Sequence, residues 1–175
     1  LWRHRARTGY QGGDSVDAQS EPFSPQILHQ SRLETSDTEH IMPLTTIDIH
    51  TTYASEVETD IIEAVQSALL ETLQLPAHDR NVKLAVHAPH RMIVPPTLAQ
   101  PEKRTVVTIA LFPGRSQDAK RHLYLAIVAN LENCSAQIPR DHVLICLQEV
   151  PFEHWGIRGG QAASDVDLGF STQIT

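Results

Sequence analysis

The chain spells out one order of elements twice. A strand-like run, LTTIDIH (residues 44–50), leads into an amphipathic stretch opened by Ser55, then into NVKLAVHA (81–88). RTVVTIALF (104–112) leads into a second amphipathic stretch opened by Ser116, then into HVLICLQEV (142–150). Ile47 and Ile109 lie 62 positions apart, as do Asp79 and Asp141 in the similar loops LPAHD and IPRD. Two tandem β-α-β units account for this spacing. Strands joined through a helix pair in parallel by a right-handed crossover. The predicted fold is therefore α+β: a four-stranded sheet with both helices on one face.

The helical stretches carry the apolar faces that such a sheet needs. Val57, Ile61, Ile62, Val65, Ala68, Leu69 and Leu73 recur at helical spacing in the first. Ala119, Leu123, Ala126, Ile127 and Leu131 do so in the second. Ser55 with Glu58 is predicted to form a capping box, and Ser116 to cap the second helix. The proline-rich stretch PHRMIVPPTLAQPEK is predicted to run extended over the surface between the units. Val106, Ile109, Leu111, Leu144 and Leu147 put apolar side chains on both sides of the sheet. Its uncovered face is expected to be buried by other subunits.

Residues 1–42 differ from this pattern. They mix Gly, Ser, Gln and Pro with few aliphatics and show neither periodicity, so a disordered leader outside the mature protein is expected. The ordered domain is then 43–175, with repeats at about 43–90 and 104–150 and a C-terminal hairpin at 151–175. Leu1 is not an ordinary initiator, and the first methionine is Met42, followed by Pro43. A start at Met42 with loss of that residue would leave proline at the amino terminus. The choice matters chemically. An internal proline nitrogen is a non-basic tertiary amide, whereas a terminal one is an amine able to carry a proton.

The net charge of −7 supplies no basic stripe for nucleic acid. No apolar run approaches membrane-spanning length. Cys134 and Cys146 lack CxxC spacing, which predicts reduced, buried thiols and a cytoplasmic setting. His87 and His90 flank a proline with no third ligand at a recognised interval, so no metal site is expected.

Two segments concentrate the chemistry. In GRSQDAKRHLYLAIV, Gly114 makes a turn and Arg115 precedes the cap Ser116, putting a guanidinium beside a helix N-terminus where a carboxylate is favoured. In EHWGIRGGQAASDVDLGF, Trp155 precedes Gly156, Gly159 and Gly160, a run suited to a tight hairpin crossing onto a neighbouring subunit. These segments, the Met-Pro pair and the tandem repeat together resemble the tautomerase superfamily, which includes 4-oxalocrotonate tautomerase. The resemblance runs from Pro43 to about Phe170.

The resemblance implies a homotrimer and a cofactor-independent tautomerase acting on a small carboxylate-bearing keto acid. It makes Pro43 the catalytic amine, Arg115 the carboxylate anchor and Trp155 a dry wall. An amine buried in an apolar pocket loses basicity toward neutrality, as acid–base work requires. The departures also carry information. Tyr53 stands at the first-repeat position of Arg115 and Thr105 at the second-repeat position of Pro43, so the halves have specialised. Asn81 replaces the family's second carboxylate-binding arginine. Asp79 matches the active-site aspartate of malonate semialdehyde decarboxylases, which implies a decarboxylase or hydratase as the alternative. A non-catalytic trimeric binding or signalling protein is a third reading.

Each residue also has a plainer role open to it. Pro43 would simply open a strand, Arg115 cap a carboxylate, Trp155 pack at an interface and Asp79 close a loop. Tyr53 would be a polar wall. Arg158 either guides an anion or joins an intersubunit ion pair.

Overall fold

The structure, a computed structural model, describes residues 43–169. The expected leader at 1–42 and the end of the 151–175 segment lie outside the described residues. Strands β1 (Leu44–Ile49), β2 (Val82–Val86), β3 (Thr105–Leu111) and β4 (Val143–Glu149) form one sheet in the order β2-β1-β3-β4. Pairing is parallel within each unit and antiparallel where β1 meets β3. The α+β architecture predicted from the repeat is the one observed.

Helices α1 (Ser55–Leu73) and α2 (Gln117–Asn133) share a single core with alternate strand residues. Ile61, Val65, Leu69 and Leu73 meet Leu123, Ile127 and Leu131 over Ile47, Ile49, Val107, Ile109 and Leu111. Strand β3 shows why this face was chosen: Thr105, Val107, Ile109 and Leu111 are buried, and the residues between them are not. Period-two alternation sends one set inward. Between the helices, the Asn130 side chain donates to the Ala64 carbonyl at 3.0 Å.

The opposite face is more mixed than its apolar content suggested. Leu44 and Leu144 are about half exposed there. On the same face, His87 Nε2 approaches Asp48 Oδ1 at 2.6 Å. Cys146 is exposed while Cys134 is buried, so only one of the two free thiols is buried as predicted.

Helix starts divide the two repeats. Ser116 caps α2 as predicted, its hydroxyl accepting from the Ala119 amide at 3.1 Å. The capping box expected at Ser55 is absent. Ala54 is the N-cap of α1, and its carbonyl takes the Val57 and Glu58 amides. Ser55 is thus already inside the helix, with its carbonyl accepting the Thr59 hydroxyl.

The duplication reaches further along each unit than the sequence indicated, and at a corrected spacing. The Asp79 amide bonds the Pro76 carbonyl and the His142 amide bonds the Pro139 carbonyl, both at 2.9 Å. The counterpart of Asp79 is therefore His142, not Asp141, because one extra residue separates helix start from proline in the second unit. Beyond the second strands, His87 bonds Ile49 as Val150 bonds Leu111. Short 3₁₀ turns follow at Pro89–Arg91 and Phe152–His154. The proline-rich stretch and the C-terminal segment are thus structural equivalents.

Candidate active site

Strand directions decide which residues can meet. The amino ends of β1 and β2 lie beside the carboxyl ends of β3 and β4. Pro43, Asp79, Asn81, Arg115 and Trp155 all belong to this end of the sheet. Pro43 is buried, one residue before β1.

Arg115 is held by a turn. Gly114 adopts φ 125°, a conformation closed to most L-residues, and reverses the chain after β3. The guanidinium then donates from Nη1 to the Phe112 carbonyl at 2.9 Å. Only 6% of Arg115 is exposed, and its Nε has no partner among the described residues. Burial pushes its pKa below the ordinary value while nearby Glu149 pushes it back up. A buried N–H without a partner is costly, so this one is a ready donor for an anion.

Trp155 and Phe112 make the apolar side. Phe112 stacks on Phe152 at 4.7 Å and meets Trp155 edge-on at 5.5 Å. The indole N–H donates to the Val150 carbonyl at 3.1 Å. Within the segment expected to form a hairpin, a short antiparallel pair joins β5 (Gly156–Ile157) to β6 (Gln161–Ala162). Its turn places Arg158, Gly159 and Gly160 at positive φ. Arg158 is exposed and donates to the Asp167 carbonyl at 2.8 Å.

Asp79 is 3% exposed. Its carboxylate accepts from Asn81 Nδ2 at 3.1 Å, and its carbonyl accepts from the buried Gln66 side chain at 2.8 Å. Asn81, which stands where the resemblance puts a second carboxylate-binding arginine, is thus tied to Asp79, and its carbonyl takes the Thr45 amide at 2.9 Å. Within one chain, Tyr53 is not brought to this end. It follows the carboxyl end of β1, where burial, then Cys134 and Glu102, raise its pKa. Its equivalence to Arg115 is what carries it to the opposite end of the sheet, alongside Thr105.

Three residues here went unnoticed in the sequence. Thr45 is fully buried and its hydroxyl has no partner among the described residues, two positions from Pro43. A threonine at an inward strand position was the available signal. Lys120 and Glu149 form a 2.9 Å ion pair beside the turn that carries Arg115. Nothing in their spacing, 29 residues apart, points to that pair.

Among the described residues, no group of histidine, cysteine or acidic side chains is placed to hold a metal ion. No helix among them is long and apolar enough to cross a membrane.

Two β-α-β units, joined antiparallel through β1 and β3, thus carry a buried arginine at the end of a central strand. Residues 79–158 match the family model described as tautomerase enzyme, a segment that includes Asp79, Arg115 and Trp155 but not Pro43. Among solved structures, malonate semialdehyde decarboxylase is similar at 22% identity and a TM-score of 0.61, covering 71% of this chain and 99% of its own. A second malonate semialdehyde decarboxylase, inhibited by 3-bromopropiolate, is 29% identical over 67% of this chain and 91% of its own, with a TM-score of 0.56. Native fused 4-OT is 18% identical over 70% of this chain and 98% of its own, with a TM-score of 0.62. Comparison with curated protein sequences gives no match. The chain has the tautomerase-superfamily fold in its fused, two-repeat form, and its matched segment resembles that superfamily in sequence.

Proposed function

We propose that the protein is a cofactor-independent tautomerase of a small carboxylate-bearing keto acid, with the amine of an amino-terminal Pro43 as its acid–base group. One observation carries this reading. The β1–β3 register brings the Pro43 end of β1 to the end of β3 that leads into Arg115, whose buried Nε is without a partner among the described residues. Arg115 binds the substrate carboxylate and draws electron density along the conjugated system. The free amine removes a proton from an enol oxygen, or from carbon beside a carbonyl, and returns it at the far end of that system. Trp155 and Phe112 keep the amine dry and its pKa low. Assembly as a homotrimer would cover the open face of the sheet, and a fused 4-OT of similar fold is solved as an asymmetric trimer. A cytoplasmic setting suits the free thiols of Cys134 and Cys146.

A second reading, decarboxylation or hydration of a malonate-semialdehyde-type substrate, draws on a separate observation. Asp79 is buried at the same sheet end and held by Asn81 and Gln66. A carboxylate so fixed has the form of an acid–base partner to the amine.

The test is ketonisation of phenylenolpyruvate, followed by ultraviolet absorbance, with protein beginning at Pro43 and with the chain retaining residues 1–42. Fast turnover is expected only from the first. Equal rates would refute the amine mechanism, since the longer chain holds that nitrogen in an amide.

A further inference from the structure

The unassigned pair beside Arg115 bears on how that residue stays available. Glu149 ends β4 and pairs in register with Leu111, immediately before the Phe112 carbonyl that holds Arg115. A carboxylate there is a natural internal competitor for the guanidinium. It is instead bound by Lys120, which closes the first turn of α2 with its amide on the Ser116 carbonyl. The lysine side chain is 18% exposed and the glutamate 33%, so solvent screens the pair less than it would a fully exposed one.

We propose that Lys120 is a positioning residue that sequesters the Glu149 carboxylate and so keeps Arg115 open to the carboxylate of a substrate. The inference rests on the carboxylate role proposed for Arg115. Without Lys120, the carboxylate whose charge already acts on the guanidinium, Glu149, is released beside it, joined to the scaffold and needing no association to bind. An incoming carboxylate then competes with an intramolecular one and meets its repulsion. The effect falls mainly on binding, because once the substrate carboxylate has displaced Glu149 the amine, its proton and the pull of the guanidinium are as before. The pair therefore governs how strongly the site selects anions.

The experiment titrates malonate calorimetrically into the protein as expressed and into its variants, and measures KM and kcat for phenylenolpyruvate alongside. Lys120→Met is expected to weaken malonate and raise KM by about tenfold, with kcat changed by about twofold or less. Adding Glu149→Gln to Lys120→Met should restore binding to within about threefold of wild type, and Lys120→Arg should retain it. A purely structural pair would give no such rescue, and an unchanged malonate affinity in Lys120→Met would overturn the proposal. Arg115→Gln separates the two levels. If it binds malonate as wild type does, the carboxylate role itself fails and the inference fails with it. If it abolishes binding while Lys120→Met is silent, only the role of the pair is lost.

Discussion

Thr46 on β1 pairs directly with Thr108 on β3, its own counterpart 62 residues further along the chain. A residue facing its repeat equivalent across an antiparallel ladder marks a local two-fold axis. That axis exchanges Pro43 with Thr105, Arg115 with Tyr53, and Asp79 with His142. It sends the members of each exchange to opposite ends of the sheet. Duplication therefore built two similar ends, and only one of them holds both a proline before its strand and an arginine after the facing strand.

The two ends should respond differently to substitution. Arg115→Ala is expected to lower kcat/KM for phenylenolpyruvate by about a hundredfold or more, the scale seen when an electrostatic anchor is removed. Tyr53→Phe should stay within about twofold, since within one chain its hydroxyl sits at the other end. A comparable loss in both would mean that a neighbouring subunit delivers Tyr53 to the site.

The two helix starts make a second contrast. Ser116→Ala removes the acceptor for the Ala119 amide and should cost about 1 kcal/mol, the usual worth of an N-cap. Ser55→Ala should fall within about 0.5 kcal/mol, because the cap of α1 is the Ala54 backbone. Urea denaturation of the two variants checks both figures.

That second contrast also shows what the sequence could express. Apolar periodicity made both helices and all four strands legible, because burial of one face is a property of many residues at once. The Arg115 turn was legible for a similar reason, since glycine, arginine and a capping serine stand together. Ser55 failed because the capping pattern does not say which backbone carbonyl the first amides will take, and Ala54 offered an unmarked one. Asp79 was aligned with Asp141 because one extra residue is invisible until a turn hydrogen bond fixes the register. Lys120 and Glu149 meet only through the pairing of β3 with β4, a long-range contact that no local pattern announces.

Acid should weaken the fold partly through two exposed carboxylates. Asp141 accepts from His142 Nδ1 at 2.7 Å, and that hydrogen bond is the main cause that lowers its pKa. Hydrogen bonds from Ser135 do the same for Asp60. A carboxyl with a lowered folded pKa contributes stability above its unfolded value, lost as pH falls through the folded one. His142 Nε2 meanwhile accepts the Gln100 amide at 2.9 Å, which assigns the ring proton to Nδ1. Unfolding free energy should thus decline as pH is lowered below about 4. Asp60→Asn with Asp141→Asn should flatten that decline in denaturation curves taken across the acid range.

The hairpin turn isolates a backbone effect. An added Cβ would meet nothing within 4 Å at Gly156, Gly159 or Gly160, so space does not distinguish them. Conformation does: Gly160 has φ +104°, whereas Gly156 has no such positive φ. Gly160→Ala should therefore destabilise by about 1 kcal/mol or more while Gly156→Ala is tolerated, as thermal unfolding would register.

Asp79→Asn separates the two chemical readings. The change keeps shape and size, so the Asn81 and Gln66 contacts can largely persist, and circular dichroism would verify the fold. If Asp79 only shapes the site, ketonisation of phenylenolpyruvate should survive within about tenfold. If it is an acid–base partner to Pro43 in decarboxylation, carbon dioxide release from malonate semialdehyde should fall by about a hundredfold or more, since an amide can neither take nor give that proton. Rapid carbon dioxide release in wild type, lost in Asp79→Asn, would put the decarboxylase first. Ketonisation that persists in both, with no carbon dioxide from either, would leave the tautomerase in place. Failure of both reactions in correctly folded protein beginning at Pro43 would point instead to a fold kept for binding, with its proline no longer used.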